Sequence, residues 1–201
     1  MKNIVCKVIL IGLVAAAACA HGGTPMAVTL FGTLPDSADV YGLHLSIVGC
    51  STVHSHPNSV TGISLGCIET GVGDGEMRGI QISGIHAGGE CVRGLQAGGF
   101  FAMADKAAGI ELAGVASVCR VFQGVQVAGL LSQAGSCRGL QVAFYNASPS
   151  ICGVQIGVLN MAVPAKDGWV VQLGLVNGIG KDENSTWTEG SRYLPILNVG
   201  W

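Results

Sequence analysis

Gly124-Val125-Gln126-Val127-Ala128-Gly129-Leu130-Leu131 is one copy of a short theme that recurs at a nearly fixed interval along the chain. Gly79-Ile80-Gln81-Ile82, Gly94-Leu95-Gln96-Ala97, Gly109-Ile110-Glu111-Leu112 and Gly139-Leu140-Gln141-Val142 complete with it a series stepping by fifteen residues, and Gly153-Val154-Gln155-Ile156 follows after fourteen. Looser copies are Gly42-Leu43-His44-Leu45, Gly62-Ile63-Ser64-Leu65 and Val170-Val171-Gln172-Leu173. A fixed period of this kind marks a repeat architecture.

Within each unit the residues alternate with period two. Val125, Val127, Gly129 and Leu131 share one face, and Gln126, Ala128 and Leu130 share the other. Such alternation, bounded by Gly, Ser, Asn and Pro, is the signature of a strand. A helix would be weakened by about 1 kcal/mol at each of these closely spaced glycines. The expectation is an all-β, glycine-rich repeat domain.

Two architectures use such a unit. In a β-solenoid each repeat is a coil stacked on its neighbours at ~4.8 Å. In a small antiparallel outer-membrane-type β-barrel each repeat is a strand and a turn, and closure removes the sheet edges. Solenoid coils all run the same way, so one consensus suits every coil. Membrane strands need ~9–11 residues and aromatic girdles, whereas the regular apolar face here has three positions, such as Val154, Ile156 and Val158. The solenoid is therefore preferred and the barrel kept as the alternative. Tyr193, Leu197, Val199 and Trp201 alternate toward a terminal aromatic, as a last barrel strand does, although Pro195 breaks the pattern. On the solenoid reading, Ile196-Leu197-Asn198 is a final truncated repeat that caps the stack.

Composition narrows the function classes. The 201 residues include 32 glycines, with 49% hydrophobic and 11% charged positions and a formal charge of −2. Average chains carry ~25% charged residues, so a charge-rich disordered chain and a basic nucleic-acid binder are both excluded.

Residues 1–20 read as a signal peptide. Lys2 and Lys7 precede an apolar run too short to span a bilayer, and Ala18-Cys19-Ala20 fits a small-x-small cleavage site. A lipid anchor on Cys19 is the competing reading. Without Lys2 and Lys7 the remaining chain has 8 basic and 12 acidic residues, a balance that does not attract phosphate or anionic lipid. Beyond the leader lie Cys50, Cys67, Cys91, Cys119, Cys137 and Cys152, whose spacings match no zinc motif. Six thiols in an exported chain are either disulfide partners or small buried apolar residues. Cys137 and Cys152 each fall thirteen residues into adjacent units, which in a solenoid predicts a disulfide between them.

The most regular polar feature is the column Gln81, Gln96, Gln126, Gln141, Gln155 and Gln172, interrupted by Glu111. Amides one coil apart can hydrogen-bond along a stack, and the column is expected as a surface ladder, with a carbohydrate- or peptide-binding strip as the second reading. Arg78, Arg93 and Arg138 each directly precede a unit's glycine and, with Arg120, read as solvated turn charges, with Glu76, Glu90 and Glu111 available as partners. His54-Ser55-His56, with His44 and His86, is the best metal candidate, but Pro57-Asn58 makes it an exposed polar loop. Gly71-Val72-Gly73-Asp74-Gly75 lacks the Lys-Ser/Thr of a phosphate loop, and no Gly-x-Ser-x-Gly occurs. No catalytic residue, metal site or cofactor is predicted.

These repeats resemble the bacterial family of surface repeat-containing proteins, whose units read approximately Gly-Leu-Gln-Leu-Gly-Leu-Val-Asn. Gly153-Val-Gln-Ile-Gly-Val-Leu-Asn160 and Val171-Gln-Leu-Gly-Leu-Val-Asn177 are the most similar stretches. Ala27-Val-Thr-Leu-Phe31 and Asp39-Val-Tyr-Gly-Leu43 resemble its opening segment, and Pro195-Ile-Leu-Asn198 its close. The likeness covers about residues 27–201. In the middle units Gly84, Gly114 and Gly129 sit one place later and the Asn is missing, so coil geometry between 79 and 138 is expected to differ. The resemblance implies export, a cell-envelope location and no established activity.

The expected organisation is thus a leader at 1–20 and one all-β repeat domain at 21–201. Its repeat body spans 42–178, and a connector and closing strand span 179–201. The expected function is non-enzymatic: an exported cell-envelope or surface repeat protein with a structural or interaction role, partnered by an envelope or surface component with outer-membrane association, and not by nucleic acid. The barrel alternative would act as a pore or anchor.

Overall fold

A computed structural model describes residues 24–31, 39–48, 59–180 and 191–201. They form twelve strands: β1 (Thr24–Phe31), β2 (Val40–Val48), β3 (Val60–Gly66), β4 (Glu69–Ser83), β5 (His86–Gly98), β6 (Phe101–Ala113), β7 (Ala116–Ala128), β8 (Leu131–Val142), β9 (Tyr145–Ile156), β10 (Leu159–Pro164), β11 (Val170–Ile179) and β12 (Arg192–Gly200). The strands follow one another in spatial order and every pairing is parallel except β11 with β12. The result is a β-solenoid of about nine turns, with no helix among the described residues. The barrel alternative is overturned, because consecutive strands of an up-and-down barrel run in opposite directions and these do not.

Like positions are superposed. Gly79, Gly94, Gly109, Gly124, Gly139 and Gly153 pair in succession, as do Gln81, Gln96, Glu111, Gln126, Gln141 and Gln155. Each coil bends at three places. In the coil that starts at Gly109, the first side is 110–113, a bend follows at 114–115, and the second side is 116–119. Pairing skips Arg120, and the third side, 121–123, leads to Gly124. At that glycine φ is +130°, a region that side chains disfavour, and a Cβ would run into the carbonyl oxygen of Gly109 in the coil before. The repeat's invariant glycine is therefore a corner, not a strand interior.

The lumen is apolar on one side, polar on the first side and mixed on the second, where Cys119, Ala134 and Ala162 join the core. From the third side Met77, Val92, Ala107, Phe122, Cys137 and Ile151 point inward as one column, all buried. The first side contributes the Gln column, and the second contributes Ser117, Ser132, Asn146 and Asn160.

Two bend types alternate with the sequence departures noted above. Three residues, 128–130, separate Val127 from Leu131, but only Ala143 and Phe144 separate Val142 from Tyr145, although both ends pair in register. The shorter bend is followed by Asn. Asn146 Nδ2 donates to the Ala143 carbonyl at 3.2 Å and the Ile156 carbonyl at 2.9 Å, serving acceptors that the tighter turn turns inward. Asn160 and Asn177 repeat the arrangement, linked by an Asn146–Asn160–Asn177 ladder at 2.8 and 2.7 Å. Where a glycine lengthens the bend, the inward residue is Ser or Ala instead, as at Ser117 and Ala102.

The C-terminal end differs from a truncated repeat. β12 runs antiparallel to β11, so Asn198 pairs with Gln172 in the ladder, while its Nδ2 donates to the Asn177 carbonyl at 3.0 Å. Pro195 denies the outer edge one donor, and a register irregularity between Gly174 and Asn177 accompanies Ile196 at φ 68°. Such devices discourage further strand addition.

Candidate functional site

The Gln column lies inside the rod. Gln81, Gln126, Gln141, Gln155 and Gln172 are 0% exposed and Gln96 1%. The expected surface ladder is thereby corrected: the amides form a buried ladder, and the alternating apolar residues face outward. Gln172 Nε2 donates to Gln155 Oε1 at 2.9 Å, Gln155 to Gln141 at 2.8 Å and Gln141 to Gln126 at 3.0 Å. Other amide hydrogens reach backbone carbonyls, as those of Gln81 Nε2 do at Gly88 and Thr70. An amide suits this place because it supplies both donor and acceptor to successive coils. A strip of amides open to a carbohydrate or peptide is ruled out by this burial.

Glu111 breaks the ladder. Its carboxyl shares no hydrogen bond with Gln96 or Gln126, and Gln96 Oε1, like Gln81 Oε1, is buried without a partner among the described residues. Its own oxygens accept from Ser117 Oγ at 2.7 Å and Cys119 Sγ at 2.8 Å. Burial pushes the carboxyl above its usual range, against the lowering effect of the Cys119 and Ser117 hydrogen bonds. The Cys119 thiol is pushed far up, first by burial and then by the neighbouring Glu111. An acid beside a thiol suggests nucleophilic chemistry, but both are sealed in the lumen, where burial favours the protonated form of each. At the other end His44 Nδ1 lies 2.9 Å from Ser64 Oγ, which lies 2.6 Å from Thr70 Oγ1, and all three are buried. Burial lowers the His44 pKa, so this chain of hydrogen bonds holds a neutral imidazole. Sequence reasoning missed both clusters. The available signal was that Glu111, His44 and Ser64 occupy the Gln position of their units.

The predicted Cys137–Cys152 disulfide is not formed. Cys67, Cys91, Cys119, Cys137 and Cys152 all carry free thiols. The single-residue deletion at the 143–144 bend sets Cys137 beside Ile151 and moves Cys152 next to Arg138. Cys137 therefore points into the lumen and Cys152 away from it, and burial pushes the Cys137 thiol up to about 12. Cys50, His54 and His56 lie outside the described residues. His86 stands 3.3 Å from Glu69, away from His44, and no metal-binding cluster occurs among the described residues.

The arginines gather where expected. Glu76 accepts from Arg78 at 2.6 Å and from Arg93 at 2.7 Å, and Arg120 pairs with Asp105. Arg78 beside it holds the Glu76 carboxyl below its usual range. Glu111, offered as a partner by spacing, is inside.

Outward from the first side stand two parallel columns. Ile63, Ile80, Leu95, Ile110, Val125 and Leu140 form one, and Leu65, Ile82, Ala97, Leu112, Val127 and Val142 the other. At the first bend Phe100, Leu130 and Phe144 are 52%, 58% and 51% exposed. The second side adds Phe101, Met103 and Leu131. A cleft of about 590 Å³ at the C-terminal end is lined by Lys166, Asp167, Arg192 and Trp201 among others.

Together, a superposed parallel ladder, an amide-lined lumen and an apolar exterior define a three-sided β-rod, one flank charged and the others greasy, within the β-solenoid class. No family model, curated protein or solved structure matches the chain. Its likeness to surface repeat-containing proteins therefore stands on the repeat residues alone.

Proposed function

We propose that the chain is an exported, non-enzymatic scaffold of the cell envelope that presents its outer faces to a partner in that envelope. The observation that carries this reading is the division of side chains across the coil. Glu111, Cys119 and His44 are turned into the lumen, while rows of Ile, Leu, Val and Phe are turned out and repeat from coil to coil. A soluble protein rarely leaves an apolar patch above a few hundred Å² without an interaction to cover it. The sequence of residues 1–20 and the resemblance to surface repeat proteins support export.

Fractionation of cells expressing the full chain with a C-terminal tag, followed by mass analysis of its N-terminus, tests the proposal. The expected product is recovered from the envelope and either begins at His21 or carries lipid on Cys19. A cytoplasmic product retaining residues 1–20 would contradict it.

A further inference from the structure

Between Gly94 and Met161 the exposed charged side chains are Asp105, Lys106, Arg120 and Arg138, and all four stand on the third side or at its corners. The first and second sides, and the bend between them, expose no charge over that length. Their most prominent feature is the bend itself. Hydrogen bonds from Phe100 to Ile85, from Leu130 to Val115 and from Phe144 to Gly129 stack these bends directly over one another. Ile85, Phe100, Val115, Leu130 and Phe144 thus form a continuous convex ridge, and from Phe100 onward an apolar face falls away on each flank, whereas beside Ile85 stands the His86–Glu69 pair.

We propose that this ridge and its flanking faces sink into the surface of a phospholipid bilayer, with the rod axis lying in the membrane plane. The inference rests on the envelope reading above and names the partner. Three observations favour lipid over a second copy of the chain. First, the apolar surface is convex: a flat partner covers one side and leaves the ridge and the other side wet, whereas fluid acyl chains wrap both. Second, the backbone groups of every internal strand are paired with the coils above and below, so immersion strands few donors or acceptors. Third, the column bordering the first side contains Tyr41, Arg78, Arg93 and Arg138, with Trp169 directly before Val170, the partner of Gly153. These amphipathic side chains are the ones that settle at the level of lipid headgroups. From Ile85 to Phe144 the ridge crosses five coils at ~4.8 Å, so the contact runs about 20 Å along the bilayer.

Flotation of the purified chain lacking residues 1–20 with phosphatidylcholine vesicles, alone or mixed with phosphatidylglycerol, tests this. The chain is expected to float with both, and to do so in high salt as well, because the docking faces are uncharged. Leu130→Ser with Phe144→Ser should weaken partitioning about tenfold or more, as should Phe100→Ser with Ile85→Ser. Lys106→Ser on the third side should leave it unchanged, with circular dichroism showing the β fold in each. A wild-type chain that stays below the vesicles, a ridge variant that floats as well as wild type, or a stable dimer indifferent to vesicles would overturn the proposal. Because purified protein and synthetic lipid are used, failure here is distinct from failure of export in cells.

Discussion

Gln141 donates its Nε2 hydrogen to Gln126 Oε1 across one coil at 3.0 Å, and both side chains are sealed from solvent. The bond ties two coils together from within. Gln141→Leu leaves Gln126 Oε1 buried without that donor, a loss of about 1–3 kcal/mol. At about 2–4 °C for each kcal/mol in a chain of this size, thermal unfolding should come several degrees earlier. Gln123→Leu, at the outward residue directly before the Gly124 corner, should not shift the midpoint comparably; equal effects would place Gln141 outside.

Glu111 should make stability fall with pH. Its folded carboxyl is held above the ordinary value, chiefly by burial. Below the ordinary glutamate range both folded and unfolded chains keep the proton, and the contribution is fully present. As pH rises toward the raised folded value, the unfolded chain releases its proton first, so stability is lost. Glu111→Gln removes this dependence. Its unfolding temperature should exceed that of wild type at pH 7, with the gap closing toward pH 4. A gap that stays constant across that range would contradict the assignment.

The thiols should report the register directly. In the native chain, a maleimide should label exposed Cys67 while Cys119 and Cys137 stay unlabelled until denaturant is added. Peptide mapping without reductant should recover Cys137 and Cys152 unlinked. A linked Cys137–Cys152 peptide would mean that Ile151 is not the residue beside Cys137.

Gly124→Ala puts a Cβ at φ +130° against the Gly109 carbonyl oxygen. The cost should be at least about 2 kcal/mol, read as an earlier denaturant midpoint. Ala128→Gly, four residues on, should cost less.

Period and alternation were legible because both follow from the backbone. A fifteen-residue step superposes Gly on Gly, and a strand sends Val125 and Gln126 to opposite faces. Which face looks inward was not legible. Hydropathy alone turns Val125 in and Gln126 out, yet an amide that finds partners in successive coils loses little by burial, and the lumen's apolar needs are met from the third side by residues such as Phe122 and Met77. The disulfide reading of Cys137 and Cys152 failed for a local reason: counting from the preceding glycine hides a deletion at Ala143–Phe144. Asn146 marks that deletion, and its recurrence at Asn160 and Asn177 was the readable sign of the shorter bend. The Glu111 cluster needed the fold, since Ser117 and Cys119 approach it only across the bend.

The superposition of coils is tested most directly by distances between nitroxide labels on outward positions of one column. With one label at Ile63, carried on a non-natural side chain so that the native thiols are untouched, the second is placed in turn at Val125, Leu140, Val154 and Val171. Pulsed dipolar spectroscopy should then show distances of about 19, 24, 29 and 34 Å, growing by one strand spacing per coil. Distances that level off or shrink along that series would contradict a stacked rod.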